Sequence, residues 1–168
     1  MAYNNLYTNS DSLTIRFGVE SGRAVRIGSA SQAGNKQTIK AVIKWDELEA
    51  FGTVTLLDPL RQNAIPNGAI ITKADFVTTT AFTGSGATLT LGTYKVDGTT
   101  AIDEDGIDAT IALTAIDAVG ETVTCDGAQV AGTAMTFDAY LVALVGTANY
   151  TAGQGTLTVE YIIPSQPA

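Results

Sequence analysis

The sequence contains no histidine and only one cysteine, Cys125. The first absence removes the side chain that most often serves as a general base near neutral pH and as a transition-metal ligand. The second excludes a disulfide framework within one chain. Charge is scarce as well: Asp, Glu, Lys and Arg make up 15% of the residues, against about a quarter in an average globular domain. The longest apolar run, Ala139–Val145, is far short of the roughly 18 residues a membrane helix needs. Met1–Ser10 has neither the basic n-region nor the apolar h-region of a secretory signal. These absences lead us to expect a protein made in a cytosol, with no membrane partner.

Catalytic equipment is equally thin. Without histidine, a Ser or Cys nucleophile would need Lys or a terminal amine as its base, and no Ser-x-x-Lys pattern is present. No Gly-rich loop runs into Lys-Ser or Lys-Thr, so there is no P-loop. Paired carboxylates of the glycosidase kind depend on separations that a sequence does not supply. Cys125 lies between Thr124 and Asp126, with no local cation to activate a thiolate. The expectation is no enzyme and no cofactor.

What the 168 residues do contain is Thr (25), Ala (24) and Gly (17), together 39% of the chain. Period-two alternation dominates. In Thr88-Leu89-Thr90-Leu91 and in Thr156-Leu157-Thr158-Val159-Glu160-Tyr161, apolar side chains point one way and Thr or Glu the other, as in a half-buried strand. Ile39, Ala41, Ile43 and Trp45 alternate with Lys40, Val42 and Lys44 in the same way. Further strands are expected within residues 13–19, 24–27, 53–57, 69–82, 94–96, 109–113, 121–124 and 135–145. Asp97-Gly98 and Asp126-Gly127 read as two-residue hairpin turns, and Gly84-Ser85-Gly86 and Gly153-Gln154-Gly155 as further turns. Asp46–Phe51 is the one short helical possibility. About ten short strands with a turn every 8–15 residues indicate an all-β protein, an antiparallel sandwich or barrel. Trp45 is expected as a core or interface anchor.

Charge is divided along the chain. Residues 1–73 carry a net +2 and residues 74–168 a net −10, for −8 overall. The change falls near the two prolines of Asp58–Asn67. We therefore expect residues 1–60 to form a basic N-terminal segment with short strands, either an arm or edge strands packing on a sandwich of residues 61–168. Arg16, Arg23, Arg26, Lys36, Lys40 and Lys44 are spaced by Gly, Ser, Gln and Asn rather than by aromatics. They fit a solvated strand face or a surface that docks an acidic protein. An isoelectric point near 4.3 argues against nucleic acid. In the acidic half, Asp103, Glu104, Asp105 and Asp108 surround Gly106, and read as a loop they make a weak Ca²⁺ candidate. With Gly106 at the sixth loop position, Ala101 and Ala112 stand where anchoring carboxylates should be. A solvated or partner-facing loop is the plainer reading.

Three stretches carry a family resemblance: Ile65-Pro66-Asn67-Gly68-Ala69-Ile70-Ile71, Phe82-Thr83-Gly84-Ser85-Gly86-Ala87-Thr88-Leu89-Thr90-Leu91-Gly92-Thr93, and Thr151-Ala152-Gly153-Gln154-Gly155-Thr156-Leu157-Thr158-Val159-Glu160-Tyr161. From about Ile65 to Ile163 the chain resembles the capsid decoration, or cement, proteins of tailed bacteriophages. The resemblance implies a jelly-roll-like antiparallel β-sandwich with an extended N-terminal segment, commonly a homotrimer. It implies a place on the outer surface of an icosahedral head, where such proteins clamp neighbouring major capsid subunits. The six basic residues would then be the capsid contacts. The competing readings are a carbohydrate-binding or adhesive β-sandwich, which calls for an exposed aromatic platform, and a low-copy tail or head-completion protein.

Overall fold

The structure, a computed structural model, describes residues 6–8, 14–16 and 36–164. The chain divides into two compact units, Met1–Asn35 and Lys36–Ala168. In the first, strand β1 (Leu6–Thr8) pairs antiparallel with β2 (Thr14–Arg16), placing Tyr7 opposite Ile15. Among its described residues the second holds eight strands: β3 (Lys36–Lys44), β4 (Val54–Leu56), β5 (Ile70–Gly84), β6 (Thr88–Lys95), β7 (Ala101–Ala112), β8 (Thr122–Thr124), β9 (Ala139–Gly146) and β10 (Tyr150–Ile162). They form two four-stranded antiparallel sheets, ordered β3-β10-β5-β8 and β4-β9-β6-β7.

The order follows one rule. β3 pairs with β10, β4 with β9, β5 with β8, and β6 with β7. The unit is thus one long hairpin, turned at β6–β7 and rolled until β10 also meets β5 and β9 also meets β6. That is the eight-stranded jelly roll, as the resemblance implies. Residues 36–57 supply β3 and β4, one edge strand to each sheet.

Alternation places the core. Along β10, Leu157, Val159 and Tyr161 are buried while Thr156, Thr158, Glu160 and Ile162 are only half-buried on the opposite face. The two inner faces meet over Phe76, Ile71, Leu89, Leu91, Ile107 and Leu157, all fully buried. β9 is buried almost throughout, and its near-continuous apolar run reads as a strand covered on both faces. Its Tyr140 stands opposite Tyr94 of β6 and donates a hydrogen bond to the Arg61 carbonyl at 3.0 Å, so the 58–66 segment covers that outer face.

Several local expectations are corrected. Gly153-Gln154-Gly155 is not a turn but lies inside β10, at register shifts against β5. The reason is aromatic. A Cβ on Gly155 would stand 2.1 Å from Cζ of Phe76, and one on Gly153 would stand 2.3 Å from Cδ1 of Phe82. The glycines make room for two rings whose centroids lie 5.9 Å apart, with Tyr150 edge-on to Phe82 at 5.0 Å. Asp97-Gly98 belongs to a five-residue connection between β6 and β7 rather than a two-residue one. Gly98 takes φ +74, and Asp97 accepts from the Thr99 and Thr100 amides and the Thr100 hydroxyl. Asp126-Gly127 is no hairpin, because β8 and β9 lie in different sheets. Asp46–Phe51 forms turns, not helix.

Gly155→Ala should destabilise the fold by about 2 kcal/mol or more, because both the ring and the β10 backbone are fixed by the core. Phe76→Leu in the same chain should recover part of that loss. Chemical denaturation of the single and double variants checks it, and additive losses would contradict the ring-on-glycine account.

Candidate functional site

The two flanks of the sandwich differ. On one flank lie the edge strands β3 and β4, and on the other β8 and β7. β3 pairs with β10 over nine residues without a register shift. Its inward residues Ala41 and Ile43 are buried, while Lys36, Lys40 and Val42 are exposed. Lys36, Lys40 and Lys44 share the outward face about 13 Å apart. Two of the three are already engaged: Lys36 with Glu160 of β10 at 2.5 Å, and Lys44 with Glu47 at 2.6 Å. The hydrogen bond and charge of Glu47 raise the Lys44 pKa. Lys73 of β5 is likewise paired with Asp75. Lys40 has no ion-pair partner among the described residues. Arg16 ends β2, and Arg23 and Arg26 lie outside the described residues.

A cleft of about 460 Å³ runs between β3 and β4, its walls formed by Val42, Ile43, Leu48, Val54, Leu56 and Leu57, with Lys44, Glu47, Glu49 and Arg61 around it. A smaller hollow of about 120 Å³ beside it is lined by Lys40, Leu57, Asp58 and Asn63. Further along β3 a third cleft, about 290 Å³, is formed by Trp45, Asp46, Glu49, Val145, Asn149 and Tyr150. Trp45 is 44% exposed, which corrects the expectation of a core role. The strand ends at Lys44, and Trp45 begins the turn that carries the chain away from the sheet. Alternation alone does not reveal that a pattern has run past its strand.

The acidic residues also move. Asp103, Glu104, Asp105 and Asp108 lie within β7, not in a loop. β6 advances two residues, from Leu91 to Thr93, while β7 covers five, from Asp108 to Asp103. The surplus residues form a broad bulge, and bulges blunt an edge against further pairing. The bulge is closed from two sides. A Cβ on Gly92 would sit 2.2 Å from the Glu104 backbone, and one on Gly127 would sit 2.4 Å from the Gly106 carbonyl oxygen. Gln129 packs over Gly106 and hydrogen-bonds with buried Thr93 at 2.8 and 2.9 Å. Glu104 and Asp108 consequently take separate partners. Glu104 accepts from the Tyr94 hydroxyl at 2.5 Å, and that bond, with burial, pushes the Tyr94 pKa up to about 12. Asp108 is buried and accepts from the Thr110 amide at 3.1 Å. Among the described residues no three acidic, Cys or His side chains converge on a metal position.

Burial raises the pKa of Asp108, and burial together with a hydrogen bond to Asp105 raises that of Asp103. Cys125 is buried, and burial plus the charges of Asp108, Asp75 and Asp126 push its thiol up to about 12. It is a structural side chain, not an activated one.

Two predictions follow from these groups. Thiol reagents should leave Cys125 unmodified in the folded protein and label it only on unfolding; stoichiometric native labelling would contradict this. The second concerns pH. Between the ordinary aspartate value and the raised ones, the folded state binds more protons than the unfolded state, so stability falls as pH rises through that window. Asp97 is held well below the ordinary range by the Thr100 hydroxyl and the Thr99 and Thr100 amides. Its contribution is present above the ordinary value and lost only below it. Melting temperature should therefore rise as pH is lowered from neutral toward the ordinary aspartate value. Asp108→Asn should flatten the slope and be the more stable at pH 7. A flat wild-type profile, or an Asn variant weaker at neutral pH, would count against it.

No protein-family model and no curated protein sequence matches this chain. Solved structures do match in fold. One is the acidic stable capsid of Helicobacter pylori bacteriophage KHP30, at TM-score 0.54 and 21% identity over 77% of this chain and 89% of that one. A second is the capsid of Ralstonia phage GP4, at TM-score 0.55 and 16% identity over 79% and 87%. A third is the capsid asymmetric unit of cyanophage Pam1, at TM-score 0.52 and 14% identity over 77% and 86%. At these identities the likeness is one of fold: a jelly roll of the kind found among phage capsid chains.

Proposed function

We propose that the chain is a structural virion protein that decorates and stabilises the outside of an icosahedral phage head as a homotrimer, clamping neighbouring major capsid subunits. The observation that carries this reading is the jelly roll itself, matched over 77–79% of the chain by chains from three phage capsids. The surface chemistry supports it. The outward face of the β3-β10-β5-β8 sheet is hydrated by threonine and by charges already paired within the chain, Lys36 with Glu160 and Lys73 with Asp75. Of the other basic residues of the N-terminal segment, Arg16, Arg23, Arg26 and Lys40 dock on the shell, where their charge meets carboxylates of the capsid subunits. No cofactor, nucleic acid or membrane enters this role.

The test uses heads lacking the protein, reloaded with purified chain over a salt series. Wild-type occupancy should fall as salt rises, and Arg23→Glu with Arg26→Glu should lower it further at every salt concentration. Unchanged occupancy across the series and between variants would remove the electrostatic clamp. A second reading, a carbohydrate-binding sandwich, is favoured by one observation: Trp45 is exposed beside Asp46, Glu49 and Asn149 in a cleft of about 290 Å³. Binding on a glycan array that is lost in Trp45→Ala, with no binding to heads, would move the protein to that class.

A further inference from the structure

The turn after β3 carries a cleft that is both aromatic and acidic. We infer that it receives an arginine or lysine side chain from a neighbouring protein subunit on the head. This inference rests on the decoration reading and adds to it a contact of opposite sign.

Hydrogen bonds build the cleft by tying residues 45–53 to β9, β10 and the turn between them. The Trp45 amide donates to the Gly153 carbonyl at 3.1 Å, and the Gly52 amide to the Val145 carbonyl at 3.0 Å. The Phe51 amide donates to Oδ1 of Asn149 at 2.6 Å, and the Glu49 amide to the Thr55 hydroxyl at 2.8 Å. Trp45, Asp46, Glu49, Val145, Asn149 and Tyr150 thereby enclose about 290 Å³. That is small for a ligand pocket and suits a single side chain.

Its charge is of one sign. The Asp46 and Glu49 side chains are exposed, with no ion pair or hydrogen bond among the described residues, and no cation lines the cleft. The nearest in sequence, Lys44, is held by Glu47 at 2.6 Å, with a lesser pull from Asp46. Two unpaired carboxylates beside an exposed indole draw a cation by charge and by the quadrupole of the ring.

The inventory of donors and acceptors favours a cation over a sugar. A sugar hydroxyl both donates and accepts, whereas a guanidinium or ammonium group only donates. Asp46 and Glu49 only accept. Oδ1 of Asn149 is taken by the Phe51 amide, and the Tyr150 hydroxyl is sealed from solvent with no partner among the described residues. The Asn149 amide and the indole N–H remain as donors, and neither neutralises a charge. A neutral sugar would leave both carboxylates uncompensated.

The surroundings favour a protein as the source of the cation. Phe51, tied to Asn149, stands 56% exposed beside the cleft. Exposed aromatic side chains are enriched where proteins meet, and a free amine would leave this ring uncovered.

Trp45 is the only tryptophan of the chain, so its fluorescence reports this cleft alone. Titration of the full-length protein with argininamide, at low and constant ionic strength, should give a saturable change. Half-saturation is expected on the order of 1–10 mM. Asp46→Asn and Glu49→Gln should each weaken it about 2- to 5-fold, the range for an exposed ion pair. The double variant should also occupy reloaded heads less than the wild type does. Both positions are exposed, and thermal melts confirm that the variants fold. No saturable response to argininamide, or one unchanged in the double variant, would overturn the site. A response to methyl glucoside alone would overturn it too and give the cleft to the carbohydrate reading. Argininamide binding with equal loading of variant and wild type would overturn the docking while decoration stands. A wild type that never loads would remove the decoration reading and this docking with it.

Discussion

The pairing of β10 with β5 is the contact on which the rest of the second unit depends. β10 lies between β3 and β5, so it joins the first strand of the rolled hairpin to its middle. The pair holds because Phe76 and Phe82 of β5 lie over backbone of β10 that carries no side chain, at Gly155 and Gly153. The large rings supply apolar area and the glycines let the backbone approach, at the cost of the register shifts seen there. Everything outward of that pair is lighter. β4 and β8 have three residues each, and β7 is interrupted by its bulge.

That construction leaves the four edges unequal, and the inequality bears on function. Short or bulged strands resist further pairing. β3 is nine residues long and regular, guarded only by its lysines. The apolar clefts lie along this same flank, and exposed carboxylates lie on both, Asp46, Glu47 and Glu49 here and Asp105, Asp117 and Asp126 toward the other. The hydroxyl-rich outer face of the sandwich is a feature on which the proposed assembly role rests.

Much of this was legible in the sequence. The alternation of residues 156–161 and 88–91, with stiff Thr and Val between turn residues, is enough to read strands and an all-β class. The position of β3 was equally plain from Ile39, Ala41 and Ile43. Three features were not. The glycines of β10 look like turn residues because their cause, two rings on another strand, is remote in sequence. The segment around Gly106 looks like a cation loop because a bulge leaves no local signature, and only the packing of Gln129 and Gly127 against it shows a strand. Pairing of Lys36 with Glu160 and Lys44 with Glu47 was hidden for the same reason: a row of basic residues says nothing about which of them the fold has already neutralised. Of the six basic residues, Arg23 and Arg26 lie outside the described residues, so their role rests on the reloading experiment.

The central claim is a shell-wide structural role, and copy number tests it most directly. Quantitative mass spectrometry of virions made from the genome that encodes this chain should find it in a simple ratio to the major capsid protein, amounting to hundreds of copies per particle. A handful of copies would place the protein at a tail or a single vertex. Absence from the particles would contradict the account altogether.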